Sequence, residues 1–172
     1  ENYAKKHYTK KKLDCLCSQD DYFLISSTDR YGIKLNTVIC KYCGLIRFNE
    51  MYTTENLTDF YQNYYRSITN DEPGFTDPLK FYNAQALNGK SKYELIKKYM
   101  TKKIDENTIV VDLGGGAGGV LENFKPSENL FLADFFVPYQ EIAKQNGIKI
   151  INGGADKINF KPDIIIISHV IE

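Results

Sequence analysis

Four cysteines, arranged as two close pairs near the start of the chain, are the first residues whose spacing could do chemistry. They are Cys15, Cys17, Cys40 and Cys43, and Gly44 follows the second pair. Two pairs presented on turns can place four thiolates at the corners of a tetrahedron, which is the arrangement that Zn²⁺ prefers. Because such a site has no open coordination position, the spacing predicts a structural metal. Free thiols and redox-active or disulfide-forming cysteines are the alternatives, although disulfides are uncommon in cytoplasmic chains.

A glycine-rich loop is the second group, and the sequence places it between a strand and a helix. It follows Asp112 at the end of the strand and runs from Gly114 to Gly119, with Gly115 among its members. Glycines at such a turn allow a ligand to lie against the main chain. The spacing fits two patterns, the dinucleotide pattern G-x-G-x-x-G and an acid-x-G-x-G-x-G pattern. A glycine-rich turn that binds no ligand is a third interpretation.

The acid-x-G-x-G-x-G pattern, formed by Asp112, Gly114, Gly116 and Gly118, resembles the motif of class I S-adenosylmethionine-dependent methyltransferases. A carboxylate at the first of these positions would hold an ammonium group but would repel a pyrophosphate. The resemblance also implies a helix before the first strand. Residues 91–103 show such a helical pattern, with Ser91 and Glu94 as a capping box at its start. The pattern predicts an inward face formed by Leu95, Ile96, Tyr99 and Met100.

The resemblance extends to residues that follow the next two strands. Asp134 comes 20 residues after Gly114 and would accept the ribose hydroxyls of either cofactor. Gly154 and Ala155 correspond to a loop that flanks the adenine, although Gly154 stands where the family has its acid. The resemblance therefore implies cofactor contacts from three separate strand ends.

The last residues and the tyrosines narrow the resemblance to one branch of the family. Residues 169–172 resemble a His-Val-x-Glu-His motif, which makes His169 a candidate on the substrate side of the methyl group, with a structural role equally open. A four-cysteine module followed by closely spaced tyrosines is similar to sugar C-methyltransferases. In that branch, tyrosines approach the methionine end of the cofactor, so Tyr61, Tyr64 and Tyr65 are candidates, and packing of a helix face is the alternative.

The hydrophobic pattern predicts an α/β protein with a small zinc-ribbon-like module before a partial Rossmann-like parallel sheet. Four nearly continuous apolar runs are typical of strands that are covered on both faces. These runs are residues 108–113, 130–133, 148–151 and 163–168. Right-handed crossovers make these strands half of a doubly wound sheet. The resemblance to the methyltransferases implies the strand order 3-2-1-4. The predicted organisation is a zinc-binding module at 1–50, a helical linker at 51–103 and the N-terminal half of a methyltransferase domain at 104–172.

Composition narrows the class of partner. The 172 residues include 22 basic and 22 acidic side chains, and this balance argues against bulk nucleic acid as a partner. No apolar run approaches a membrane span and no secretory leader is apparent, so a cytoplasmic protein with no membrane partner is expected. The lysine-rich residues 1–12 are interpreted as a solvated arm.

A bare apolar fourth strand predicts a fragment whose sheet is completed by a further C-terminal segment or by a second chain.

These features together predict an S-adenosylmethionine-dependent methyltransferase that acts on a small molecule, with S-adenosylmethionine and Zn²⁺ as cofactors. The resemblance favours a nucleotide-linked sugar of polysaccharide or natural-product biosynthesis, and a fragment of such an enzyme could be inactive alone. Carbon, oxygen and nitrogen acceptors are not separated, and no catalytic base is identified beyond His169. An NAD(P)-dependent oxidoreductase that uses the same glycine loop and a non-enzymatic zinc-ribbon adaptor are the alternatives.

Overall fold

A computed structural model describes residues 8–29, 32–65, 77–101 and 103–170. Residue contacts divide the chain into two compact units, Glu1–Ile68 and Thr69–Glu172. The boundary between them falls within the predicted linker. No helix in the described ranges combines the length and the apolar character needed to cross a bilayer.

The first unit consists of short antiparallel strands and one helix. The strands are β1 (Lys10–Lys12), β2 (Tyr22–Ser26), β3 (Thr37–Cys40), β4 (Ile46–Phe48) and β5 (Glu50–Tyr52), and the helix is α1 (Thr54–Asn63). β2, β3 and β4 form one sheet in that order, while β1 pairs with β5. The interpretation of the lysine-rich start as a solvated arm is wrong for β1, because this strand pairs with β5 and Lys10 forms a 2.7 Å ion pair with Glu50. Residues 1–7 of that arm lie outside the described residues.

The second unit contains a four-stranded parallel sheet. Its elements are α2 (Pro78–Lys97), β6 (Ile109–Leu113), a 3₁₀ helix (Gly119–Phe124), β7 (Asn129–Ala133), α3 (Val137–Gln145), β8 (Lys149–Ile150), a 3₁₀ turn (Ala155–Lys157) and β9 (Ile164–Ile167). The strand order is β8-β7-β6-β9, and every pairing is parallel. This is the 3-2-1-4 order that the resemblance implies, and the apolar runs predicted the four strands correctly.

Helix α2 begins thirteen residues earlier than the pattern at 91–103 predicted. The side chain of Asp77 caps it by accepting from the amides of Leu79 and Lys80, and Pro78 occupies the first turn. Ser91, the predicted cap, lies inside the helix and donates to the carbonyl of Asn88. The predicted inward face is wrong in part, since the Leu95 side chain is more than half exposed.

The core of the second unit lies on the face of the sheet that carries Val110, Leu132 and Ile166. Helix α2, the 3₁₀ helix and α3 pack against this face. The opposite face has a smaller buried cluster around Val111. Side chains of parallel strands in register point to the same face, so Ile165, paired with Val111, lies on that second face and is 49% exposed. Within the described part of the chain, β9 is an edge strand with apolar side chains partly exposed.

The approach of α2 to the 3₁₀ helix depends on Gly119. A Cβ atom at this position would lie 2.0 Å from the backbone oxygen of Tyr82 and 2.8 Å from the backbone nitrogen of Ala86. Because these are main-chain atoms, neither can rotate away, and the two helices would have to separate. Gly119→Ala is therefore expected to lower the free energy of unfolding of the second unit by about 3 kcal/mol, the upper end of ordinary overpacking costs.

Chemical denaturation followed by circular dichroism measures this effect. Gly154→Ala is the matched control, because its Cβ would meet only the side chain of Asp156, at 3.3 Å, and its φ of −91° suits any residue. The control is expected to unfold within about 0.5 kcal/mol of the unsubstituted protein, as surface substitutions usually do. Equal stability of the two variants would contradict this account of the helix contact.

Candidate functional site

The four cysteines are presented by two turns of the first unit. Cys15 and Cys17 lie in the turn after β1, where the amide of Ser18 donates to the carbonyl of Cys15 at 2.8 Å. Cys40 ends β3 and Cys43 lies in the turn that leads to β4. The amide of Gly44 closes this second turn by donating to the carbonyl of Cys40 at 3.0 Å. Each pair is therefore fixed by its own backbone turn.

The four sulfur atoms converge on one point. The Sγ atoms of Cys15 and Cys43 are 3.5 Å apart, those of Cys15 and Cys17 are 3.4 Å apart, and those of Cys17 and Cys40 are 3.6 Å apart. All four sulfurs lie within 4.8 Å of one another. A tetrahedron with Zn–S bonds of ~2.3 Å has sulfurs about 3.8 Å apart. The four cysteines are thus close enough to hold a metal ion such as zinc, and each is a free thiol in this structure.

Backbone amides favour the thiolate form at this cluster. The amide of Cys17 lowers the pKa of the Cys15 thiol to about 6. The amide of Cys43 likewise lowers the pKa of Cys40. Since a thiolate is the form that binds a metal ion, these amides prepare the cluster for a cation.

The glycine loop of the second unit uses its own amides internally. The Gly114 amide donates to the carbonyl of Ala133 at 2.7 Å, and the Gly118 amide donates to the carbonyl of Gly115 at 3.1 Å. The Gly116 amide donates to Asp134 Oδ2 at 2.9 Å. Most of the donors that a phosphate would need are therefore already bonded within the protein.

Gln85 of α2 completes the bonding of this loop. Its Oε1 accepts from the amides of Ala117 at 3.0 Å and Gly119 at 3.4 Å, while its Nε2 donates to the carbonyl of Gly115 at 3.0 Å. Nothing in the local sequence marks Gln85 as a site residue. A single glutamine on a helix belongs to no motif, and its role arises only when the helix packs against the loop.

A pocket of about 120 Å³ lies at the carboxyl ends of β6 and β9. Its lining includes four residues that were predicted as site residues and three polar residues that were not. The predicted ones are Asp112, Gly114, Gly115 and His169, and the others are Gln85, Lys92 and Ser168. His169 is exposed and has a φ of +58°, which is unusual for a residue with a side chain.

Asp112 is the buried charged group of this pocket. The residue is 2% exposed, its carboxylate opens onto the pocket, and no hydrogen bond to this carboxylate forms within the described residues. Burial raises the pKa of Asp112 to about 7, with the charge of Asp134 acting in the same direction and that of Lys92 acting against it. Gly115 covers the carboxyl group so closely that a Cβ there would lie 2.4 Å from Asp112 Cγ. A buried carboxylate without a donor is a site for a cationic or hydrogen-bond-donating ligand.

The other predicted site residues lie in several places. Both carboxylate oxygens of Asp134 accept from backbone amides, Oδ1 from Phe136 at 2.9 Å and Oδ2 from Gly116. Gly154 and Ala155 begin the 3₁₀ turn after β8 and are not among the residues that line the pocket. Tyr61 and Tyr65 belong to the first unit, where their rings lie 5.1 Å apart and both contact Phe60. The cofactor contacts assigned to these residues stay predictions.

Comparison with known proteins gives no family. No protein-family model matches the chain, and no curated protein sequence matches it significantly.

Proposed function

We propose that the chain is part of an S-adenosylmethionine-dependent methyltransferase in which a structural zinc ion stabilises the first unit. The second unit would be the first half of a Rossmann-like cofactor-binding domain. The four-stranded parallel sheet with the predicted strand order supports this fold. The four convergent thiols support a structural metal, because an ion with four protein ligands has no open coordination position for a reaction.

The observation that carries the proposal is the Asp112 carboxylate. It is buried, it has no hydrogen-bond donor among the described residues, and it lines the pocket next to the glycine loop. A buried carboxylate is costly unless a positive group or several donors accompany it in the working state. The ammonium group of the methionine moiety of S-adenosylmethionine would meet this need.

The bonding of the glycine loop favours this cofactor over a dinucleotide. A pyrophosphate needs free backbone amides at the start of a helix. Here the amides of Gly114, Gly116 and Gly118 already donate within the protein, and the loop is followed by a six-residue 3₁₀ helix. The two acidic residues beside the loop, Asp112 and Asp134, would also repel a diphosphate. An NAD(P)-dependent oxidoreductase is therefore the weaker candidate.

In the proposed reaction, bound S-adenosylmethionine supplies the methyl group. Asp112 would hold the ammonium end of the ligand, and Asp134, oriented by the amides of Gly116 and Phe136, would accept ribose hydroxyls. The fixed glycine loop would keep the ligand in one orientation, which is the main requirement for an in-line transfer. His169, in the pocket lining, would face the acceptor side. By resemblance alone, we infer that the acceptor is a nucleotide-linked sugar.

Ligand titration by calorimetry tests the proposal. S-adenosylhomocysteine is expected to bind at pH 8, whereas NADH is expected not to bind. Asp112→Asn should weaken S-adenosylhomocysteine binding about 10- to 100-fold, which corresponds to loss of a hydrogen bond to a charged group. Glu141→Gln, on the exposed side of α3 where Glu141 pairs with Lys144, is the control and should bind normally.

Three outcomes would count against the proposal. NADH binding without S-adenosylhomocysteine binding would favour the oxidoreductase. Absence of binding by either ligand, with one zinc ion still bound per chain, would favour a zinc-ribbon adaptor. Unchanged affinity in Asp112→Asn would remove the role assigned to the buried carboxylate.

A further inference from the structure

Lys92 is a second charged group of the same pocket, and no motif pointed to it. It lies on α2 and its Nζ donates to Ser168 Oγ at 2.9 Å. No carboxylate oxygen in the described residues lies within the 4.0 Å of an ion pair with this ammonium group. Since an ammonium group has three donors, Lys92 has donors left for a ligand.

The pocket therefore presents two opposite charges that do not pair with each other. Lys92 and Asp112 both line it. They are close enough for Lys92 to oppose the effect of burial on the pKa of Asp112, yet they form no direct ion pair. Opposite charges that share a pocket of about 120 Å³ without pairing leave room for a ligand group that satisfies both.

Building on the proposed function, we propose that Lys92 is a specificity-determining residue that binds the carboxylate of the ligand whose ammonium group Asp112 holds. The pocket would then select an α-amino-acid zwitterion, in which the two charges are attached to one carbon atom. An amine without the carboxylate would be repelled by Lys92, and an acid without the ammonium group would be repelled by Asp112. Ser168 would orient the Lys92 ammonium group and would not itself contact the ligand.

The test compares two ligands that differ in one group. S-adenosylhomocysteine has the whole zwitterion, and S-adenosyl-3-thiopropylamine is the same molecule without its carboxylate. Calorimetry at pH 8 should show about tenfold tighter binding of S-adenosylhomocysteine by the unsubstituted protein. In Lys92→Met the preference should disappear, because only the ligand with the carboxylate loses an interaction. Lys90→Met, on an exposed part of the same helix, should keep the full preference.

Each outcome decides between a recognition role and a structural role for Lys92. Equal weakening of both ligands in Lys92→Met would overturn the proposal, because a damaged helix contact would affect both alike. An unchanged preference would overturn it as well, while leaving the proposed function intact.

Failure of the proposed function gives a different result. If the unsubstituted protein binds neither nucleoside, L-methionine and L-methioninamide replace them as probes in a protein NMR titration. Shifts of the Lys92 and Asp112 amide signals with L-methionine alone would support the zwitterion pocket for another ligand. Equal shifts with both probes, or none with either, would overturn it.

Discussion

Removal of the proposed structural zinc ion is expected to unfold the first unit. The described residues of the unit show little else to stabilise it, because its strands are three to five residues long and Phe23, Leu24 and Ile25 of β2 are all more than half exposed. Two of the few buried apolar side chains among those residues are the cysteines Cys15 and Cys40 themselves. Structural zinc sites in small folds contribute apparent free energies of about 10 kcal/mol or more, which exceeds what such a core can supply.

Chelation and one substitution test this expectation. The purified protein should contain one zinc ion per chain, and a strong chelator should abolish the dispersed NMR signals of β2, β3 and β4. Adding Zn²⁺ should restore these signals, whereas adding Mg²⁺, which prefers oxygen ligands, should not. Cys40→Ser should mimic chelation, because Cys40 is both a predicted ligand and a buried member of the sheet.

Two results would contradict the metal assignment. A protein that contains no metal and keeps its dispersed signals with four titratable thiols would mean that the cysteines are ordinary core residues. Fewer than four thiols in the denatured, metal-free protein would instead mean disulfide chemistry, the other alternative that the spacing left open.

The sequence predicted those parts of the molecule that depend on local pattern. Apolar runs such as that of β7 identified the central strands because a parallel strand covered on both faces needs continuous hydrophobicity. Their order agrees with the 3-2-1-4 order that the resemblance implies. The spacing of the paired cysteines predicted that the four thiols converge, because a short turn restricts the orientation of the side chains that it carries. Asp112 was predicted at a strand end, where it does lie.

The parts that could not be predicted depend on contacts between elements that are distant in the sequence. Ser91 offers a good local helix start, yet α2 begins at Pro78 because its earlier turns pack on the 3₁₀ helix. Tertiary contact rather than local propensity therefore decides where this helix begins. Gln85 and Lys92 are ordinary helical residues until α2 places one against the glycine loop and the other in the pocket. Single polar side chains of this kind carry no spacing signal.

The buried carboxylate of Asp112 should give the second unit an unusual dependence of stability on pH. Burial raises the pKa of Asp112 from 3.8 to about 7 in the folded state. Between these two values the folded protein binds a proton that the unfolded chain does not. The free energy of unfolding therefore rises as the pH falls, the reverse of what a salt-bridged aspartate would cause.

The size of the effect follows from the same difference in proton binding between the folded and the unfolded states. Between pH 8 and pH 5 this one group is expected to add about 3 kcal/mol to the free energy of unfolding. Asp112→Asn should remove the change, because an amide does not titrate. The amide has its own desolvation cost, but that cost is the same at every pH and cancels from the comparison of slopes.

Denaturation of both proteins at pH 5, 6, 7 and 8, followed by the NMR signals of β6 and β7, measures the two slopes. Asp156→Asn is the control, because Lys157 lowers the pKa of this exposed carboxyl and its titration lies below the range. Parallel curves for Asp112→Asn and the unsubstituted protein would mean that Asp112 is solvated or paired in solution. In that case the pocket would not hold the buried negative charge that the ammonium group of the cofactor would need. Diverging curves would mean that the folded protein tolerates a destabilising charge at this position, as expected when a ligand supplies the missing partner.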